Sequence, residues 1–208
     1  IAHLVFSHKT VRTAEDQLVS FAAGRRTNMV PDTAVATIKN VSATFEADFA
    51  KFLNDENAQG NIEKDGEQLL VTVKGKSAHA MEPHKGRNAA VLLAKFLAPE
   101  LEASTGRDFA QFIVELFDGD HYGQALGFNY EDDMSGPTTL NPGIVSFGEA
   151  GGSIEVSMRY SVSYSFEEKI TSVQQLLGAK PFSMDVADNS APHYVPEDDE
   201  LVATLLEV

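Results

Sequence analysis

The sequence predicts an α+β fold in two parts, each a small β-sheet with helices on one face. Three observations carry this reading. Short β-rich segments and helical stripes alternate without forming a regular parallel βαβ series. A strand motif, Leu18-Val19-Ser20-Phe21, returns as Ile144-Val145-Ser146-Phe147. Each copy is followed by a Gly-containing turn, a second strand and a helix, opening near Phe45 in the first case and Phe166 in the second. The chain therefore reads as internally duplicated, with one unit over residues 1–66, a second over 67–195, and a further helix beginning at 196–208.

In chain order, Leu4, Val5 and Phe6 are already strand-like. Period-two or continuous β-rich patterns then fall at 18–22, 33–38, 68–74, 142–147, 154–162 and 182–186. Phe45, Phe49, Phe52 and Leu53 make one helical stripe; Val91, Leu92 and Phe96 make a second; Phe109, Phe112, Ile113, Leu116 and Phe117 make a third. The fourth carries the most signals. Ser165 with Glu168 reads as a capping box, Phe166, Ile170, Val173 and Leu177 as the stripe, and Gly178 as the stop. Residues 121–137, rich in Gly, Asp and Asn, read as a long solvated acidic loop, and the acidic run lacks the spacing of an EF-hand calcium site. Pro196, an acidic turn over 197–200, and Leu201, Leu205 and Val208 start a helix with no cap, while position 1 is Ile. Both ends are therefore expected to be cuts in a longer protein.

Composition narrows the function. The 208 residues are 43% hydrophobic and 23% charged, as in ordinary folded domains. A formal charge of −15 disfavours nucleic acid and anionic membranes as partners. There is no cysteine, so disulfides, thiolate zinc sites and cysteine nucleophiles are excluded, and a reducing compartment fits. No apolar run approaches the roughly 18 residues of a membrane span.

Of the six histidines none falls in an H-E-x-x-H pair, and Pro83 separates His79 from His84, which spoils a shared helical face. Gly75-Lys76-Ser77 is not a P-loop, because Leu70 stands where its first glycine belongs. No G-x-S-x-G elbow is present. His79 leaves the 68–74 strand just before a Pro-containing bend, where a side chain can project from the core or equally serve as a structural histidine. Asn28 opens a turn, and Arg159 is a strand residue that could pair with any of many carboxylates.

Taken together these segments resemble a family. Gly75-Lys76-Ser77-Ala78-His79, then Glu82-Pro83 and Gly86-Arg87-Asn88-Ala89 at a helix start, are similar to the non-catalytic domain of the dinuclear zinc aminopeptidase, carboxypeptidase and aminoacylase superfamily. Asn28-Met29-Val30-Pro31-Asp32, the run Thr139 to Phe147 and the strand ending Met158-Arg159-Tyr160 bring it nearest to bacterial Xaa-His dipeptidases of the PepV type, over nearly the whole chain. The resemblance implies a lid of two fused ferredoxin-like α/β sandwich units that mimic a dimer. It implies a cytoplasmic, monomeric parent enzyme whose separate catalytic domain holds two zinc ions and a glutamate base, with dipeptides as substrate. It assigns to His79 the donor that stabilises the oxyanion, and to Asn28 and Arg159 the grip on the dipeptide's backbone and terminal carboxylate.

The two units divide this set. The first has Asn28 but only Ile38-Lys39-Asn40 at the arginine's place; the second keeps Arg159 but has Gly151-Gly152-Ser153 where the asparagine motif would lie. No H-x-D, paired-glutamate or distal-histidine metal segment is present, so this chain is expected to hold no zinc and to be inactive alone. His84 and Arg87 receive no role and are expected on the surface. The rivals are a standalone α+β module that self-associates through sheet edges, and the lid of an N-acyl amino acid deacylase of the same superfamily.

Overall fold

A computed structural model describes residues 1–194, so the helix expected at 196–208 lies outside the described residues. In chain order the elements are β1 (Ala2–His8), β2 (Leu18–Ala23), β3 (Thr33–Lys39), α1 (Phe45–Asp55), β4 (Gln59–Asp65), β5 (Gln68–Lys74), α2 (Ala89–Glu100), α3 (Thr105–Phe117), β6 (Glu131–Asp132), β7 (Gly136–Pro137), β8 (Thr139–Gly148), β9 (Gly151–Arg159), α4 (Phe166–Leu177) and β10 (Phe182–Asn189). Eight strands form one antiparallel sheet in the order β10-β1-β9-β8-β2-β3-β5-β4, and β6 and β7 form a separate short hairpin.

Alternation decides which face of the sheet is covered. Leu4 and Phe6 of β1, Ala34, Ala36 and Ile38 of β3, and Val71 and Val73 of β5 are buried, while their neighbours in sequence are not. All four helices pack over that face around a single core. The central helix α2 is buried on nearly every side, from Ala89 through Leu97, as its almost uniformly apolar sequence requires.

The duplication is visible in the pairing. β2 and β8 run antiparallel with Phe21 opposite Phe147, so the repeated strand motif meets its own copy across a pseudo-twofold axis. On one side lies the half β2-β3-β5-β4 with α1 and α2; on the other lies β8-β9-β1-β10 with α3 and α4. This division departs from a boundary at residue 66. That position is the turn between β4 and β5, which pair along their whole length, whereas β1 pairs with β9 and β10 and so completes the second half from the N-terminal end of the chain. Strand pairing is non-local, and the sequence shows only which segments are strands.

Three local differences have physical reasons. β4 is an edge strand whose only large apolar residue is Ile62, so it carries no periodic signal. Ser165 makes no side-chain capping bond and Gly178 keeps a right-handed conformation, so the apolar stripe rather than the caps defines α4. The 121–137 segment is not purely solvated, since Leu126 and Phe128 are buried in the core. Acidic groups in and beside it serve the backbone: Asp120 accepts from the N–H groups of Tyr122, Gly123 and Ala125, and Asp132 from those of Met134 and Ser135.

Phe109 of α3 sits over the axis. Its ring lies 6.3 Å from Phe21, edge-on, and 5.2 Å from Phe147, and it is fully buried. Phe109→Ala should therefore loosen both halves at their seam, lowering unfolding stability by about 3–5 kcal/mol. Urea unfolding of the chain reads this directly, and a loss below about 1 kcal/mol would show that the ring is not a keystone of the seam.

Candidate functional site

The segment Asn28 to Asp32, between β2 and β3, is held by every one of its carbonyls. Asn28 O accepts from Ala80 N (2.9 Å), Met29 O from Asn141 Nδ2 (2.9 Å), Val30 O from Ser77 Oγ (3.2 Å), Pro31 O from Ala89 N (2.9 Å) and Asp32 O from Gly75 N (2.9 Å). Three of these five donors lie in the segment joining β5 to α2 and a fourth, Ala89 N, opens α2, so the two sequence motifs are halves of one structure. Val30 N in turn donates to Ala78 O at 2.8 Å, which makes residues 28–30 and 78–80 a short antiparallel pair with Met29 opposite His79. The structure thus brings Asn28 and His79 onto adjoining bridged segments, with Ala80 opposite Asn28, and both Asn28 and His79 are exposed.

His79 has a defined hydrogen-bonding sense. Its Nδ1 accepts the backbone N–H of Met81 at 3.2 Å, so in the neutral ring the proton sits on Nε2, which points away from that turn as a free donor. Arg159 reaches the same end of the sheet by another route. It closes β9 opposite Thr139, whose hydroxyl donates to Ala80 O at 3.2 Å, one residue from His79. Half-buried, Arg159 lines an open cleft of about 440 Å³ with Met81, Met134 and Thr139, and its buried Nε has no partner among the described residues.

Several supporting residues escaped the sequence reading. Asn88 caps α2, its Oδ1 accepting from Ala90 N at 2.9 Å, while its Nδ2 donates to Pro142 O of β8 at 2.9 Å. Asn141 is buried at 1% exposure, and a buried Asn inside a strand pattern was the signal available. Arg87, expected on the surface, is instead half-buried. Its guanidinium donates to Asn57 O at 3.1 Å and to Glu56 O and Oε2, and so ties the His79-bearing segment to the end of α1. Lys95 of α2 completes the network on Glu56 Oε1 at 2.9 Å. His84 stays exposed.

The hydrogen bond from Lys95, assisted by its charge and that of Arg87, outweighs partial burial and holds the Glu56 carboxyl below its usual range. Burial first, and then the neighbouring His84, push His121 down. Among the described residues no group of three or more His, Asp or Glu side chains converges, so they do not fit a metal ion. No helix among them is long and apolar enough to cross a membrane.

Residues 68–183 match the peptidase dimerisation domain family. The chain belongs to that family. It is 32% identical over 197 residues to "Putative dipeptidase SSP1012" of Staphylococcus saprophyticus, covering 93% of this chain and 42% of that protein. It is 36% identical over 193 residues to "Putative dipeptidase YtjP" of Bacillus subtilis, covering 92% of this chain and 41% of that protein. The chain thus spans about two fifths of the length of these relatives. Among solved structures, the aminoacylhistidine dipeptidase of Vibrio alginolyticus is 14% identical with a TM-score of 0.30, over 97% of this chain and 46% of that one.

The Glu56 network gives a pH-dependent prediction. A carboxyl held low in the folded state adds stability that is fully present above its unfolded value and is lost as pH falls through the lower folded value. Glu56→Gln should therefore cost about 0.5–1 kcal/mol at neutral pH and nothing in strong acid. Thermal melts of both forms across pH check it, and a difference that persists unchanged in acid would contradict the ion-pair origin.

Proposed function

We propose that this chain is the lid of a zinc-dependent dipeptidase, in which His79, Asn28 and Arg159 hold the substrate against a catalytic domain outside this chain. The observation that carries the reading is the pairing of residues 28–30 with 78–80, which brings the Asn28 segment against the segment of an exposed His79, at the same end of the sheet as Arg159. The names of the dipeptidase relatives support it. Among the described residues no metal-binding group converges, and the reading assigns the two zinc ions, their ligands and the general base to the catalytic domain.

The chemistry of each residue follows from its geometry. With Nδ1 accepting from Met81, the Nε2–H of His79 is the ring donor suited to the carbonyl oxygen of the scissile bond as that oxygen gains negative charge. A preorganised donor of this kind is typically worth about 2.7–4 kcal/mol in the transition state. Arg159 presents a planar fork whose inner nitrogen is already desolvated, which suits bidentate binding of the dipeptide's terminal carboxylate. Asn28 offers both a donor and an acceptor to the peptide backbone. The reading carries with it a cytoplasmic, monomeric parent. The outer sheet edges support the second point, since β4 bears Glu63, Lys64 and Asp65 and β10 bears Asp185 and Asp188, charges that discourage further edge pairing.

In the complete enzyme, His79→Ala should lower kcat roughly a hundredfold to a thousandfold without changing zinc content. Arg159→Ala should act mainly on KM for dipeptides with a free carboxylate. Steady-state kinetics paired with metal analysis tests both, and unchanged turnover in the His79 variant at full metal loading would refute the role given to that residue.

A further inference from the structure

Asn28 is exposed and lies in a connection between strands, so something other than its own side-chain contacts must fix its direction. The fixing group comes from the opposite half of the molecule. Asn141 of β8 directs its side-chain amide nitrogen onto two carbonyls, Thr27 O and Met29 O, each at 2.9 Å. These are the carbonyls of the two residues that flank Asn28, so one buried amide pins the backbone both before and after it.

The surroundings of Asn141 are built for this approach. Gly143 interrupts the β8–β9 register as a bulge, and a Cβ there would lie 2.4 Å from Thr27 O. Gly24, at φ +75°, passes so close to Gly143 that a Cβ on it would stand 1.8 Å from the Gly143 carbonyl. Two positions before Asn141, Thr139 bonds Ala80 O beside His79, and one position after it Pro142 O accepts from Asn88. At 1% exposure Asn141 itself is out of reach of a substrate.

We infer that Asn141 is a positioning residue for substrate binding, acting through the backbone on both sides of Asn28 and joining the second half's strand to the first half's binding segment. This rests on the reading that Asn28 contacts the dipeptide. Replacing Asn141 frees two buried carbonyls from their shared donor and lets the Asn28 side chain sample directions that miss the substrate.

The test is a double-mutant cycle in the complete dipeptidase, reading kcat and KM for one dipeptide in the parent enzyme, Asn28→Ala, Asn141→Ala and the double variant. Asn141→Ala is expected to lower kcat/KM about tenfold to a hundredfold, with the same division between kcat and KM as Asn28→Ala, and to have less than about a threefold further effect once Asn28 is Ala. An equal loss in both backgrounds would mean a general structural role and overturn the inference. No loss from Asn28→Ala alone would instead remove the reading of Asn28 on which it rests, a separate and recognisable outcome. If Asn141→Ala does not fold, Asn141→Ser, which retains a hydroxyl donor, replaces it in the same cycle under the same criteria.

Discussion

The antiparallel pairing of β2 with β8 is the contact on which the rest of this structure depends. It closes two four-stranded halves into one sheet, with Phe21 opposite Phe147 at the axis and Phe109 packed over both. Without that seam each half would expose an unpaired inner edge and part of its core. The seam also sets the reach of β8. Because Ala23 pairs with Val145, the residues of β8 that precede Val145 run on past the end of β2 and alongside the segment that follows it. While paired with β9, Asn141 therefore ties to that segment, and Thr139 to Ala80 of the segment that pairs with it.

The pseudo-symmetry accounts for a single candidate site. In the first half the connection after the repeated strand is the long Gly24 to Asp32 segment, clamped through all its final carbonyls. In the second half the same place is a tight turn at Glu149-Ala150, and Gly152 beyond it lies against the Phe109 ring, where a Cβ would come within 2.4 Å. A twofold axis sends these two connections to opposite ends of the sheet. The end that keeps Asn28 and His79 receives from the second half the C-terminal end of β9, and so Arg159. Neither half contains all three residues, so the candidate site draws on both.

The sequence was informative where the signal is local. The repeated motif marked the axis, and the strand over Gln68–Lys74 and the stripes of α1, α3 and α4 stand where their periodicity put them. It was silent where the determinant is a distant partner. β1 joins the second half because of its pairing with β9 and β10, which no pattern within Ala2–His8 encodes. Arg87 and Asn141 are engaged by groups that lie far from them in sequence, Glu56 in one case and the Thr27 and Met29 carbonyls in the other. The acidic loop misled because a charge run looks the same whether its carboxylates face water or accept backbone N–H groups, as Asp120 and Asp132 do.

The most direct test of this account is a crystal structure of the complete parent protein with a non-hydrolysable dipeptide analogue bound. The account predicts the analogue's terminal carboxylate on the Arg159 guanidinium, its backbone against the Asn28 amide, and the oxygen that replaces the scissile carbonyl within hydrogen-bonding distance of His79 Nε2. An analogue seated at a metal centre with these three side chains turned to solvent, or engaged only with the protein itself, would contradict it.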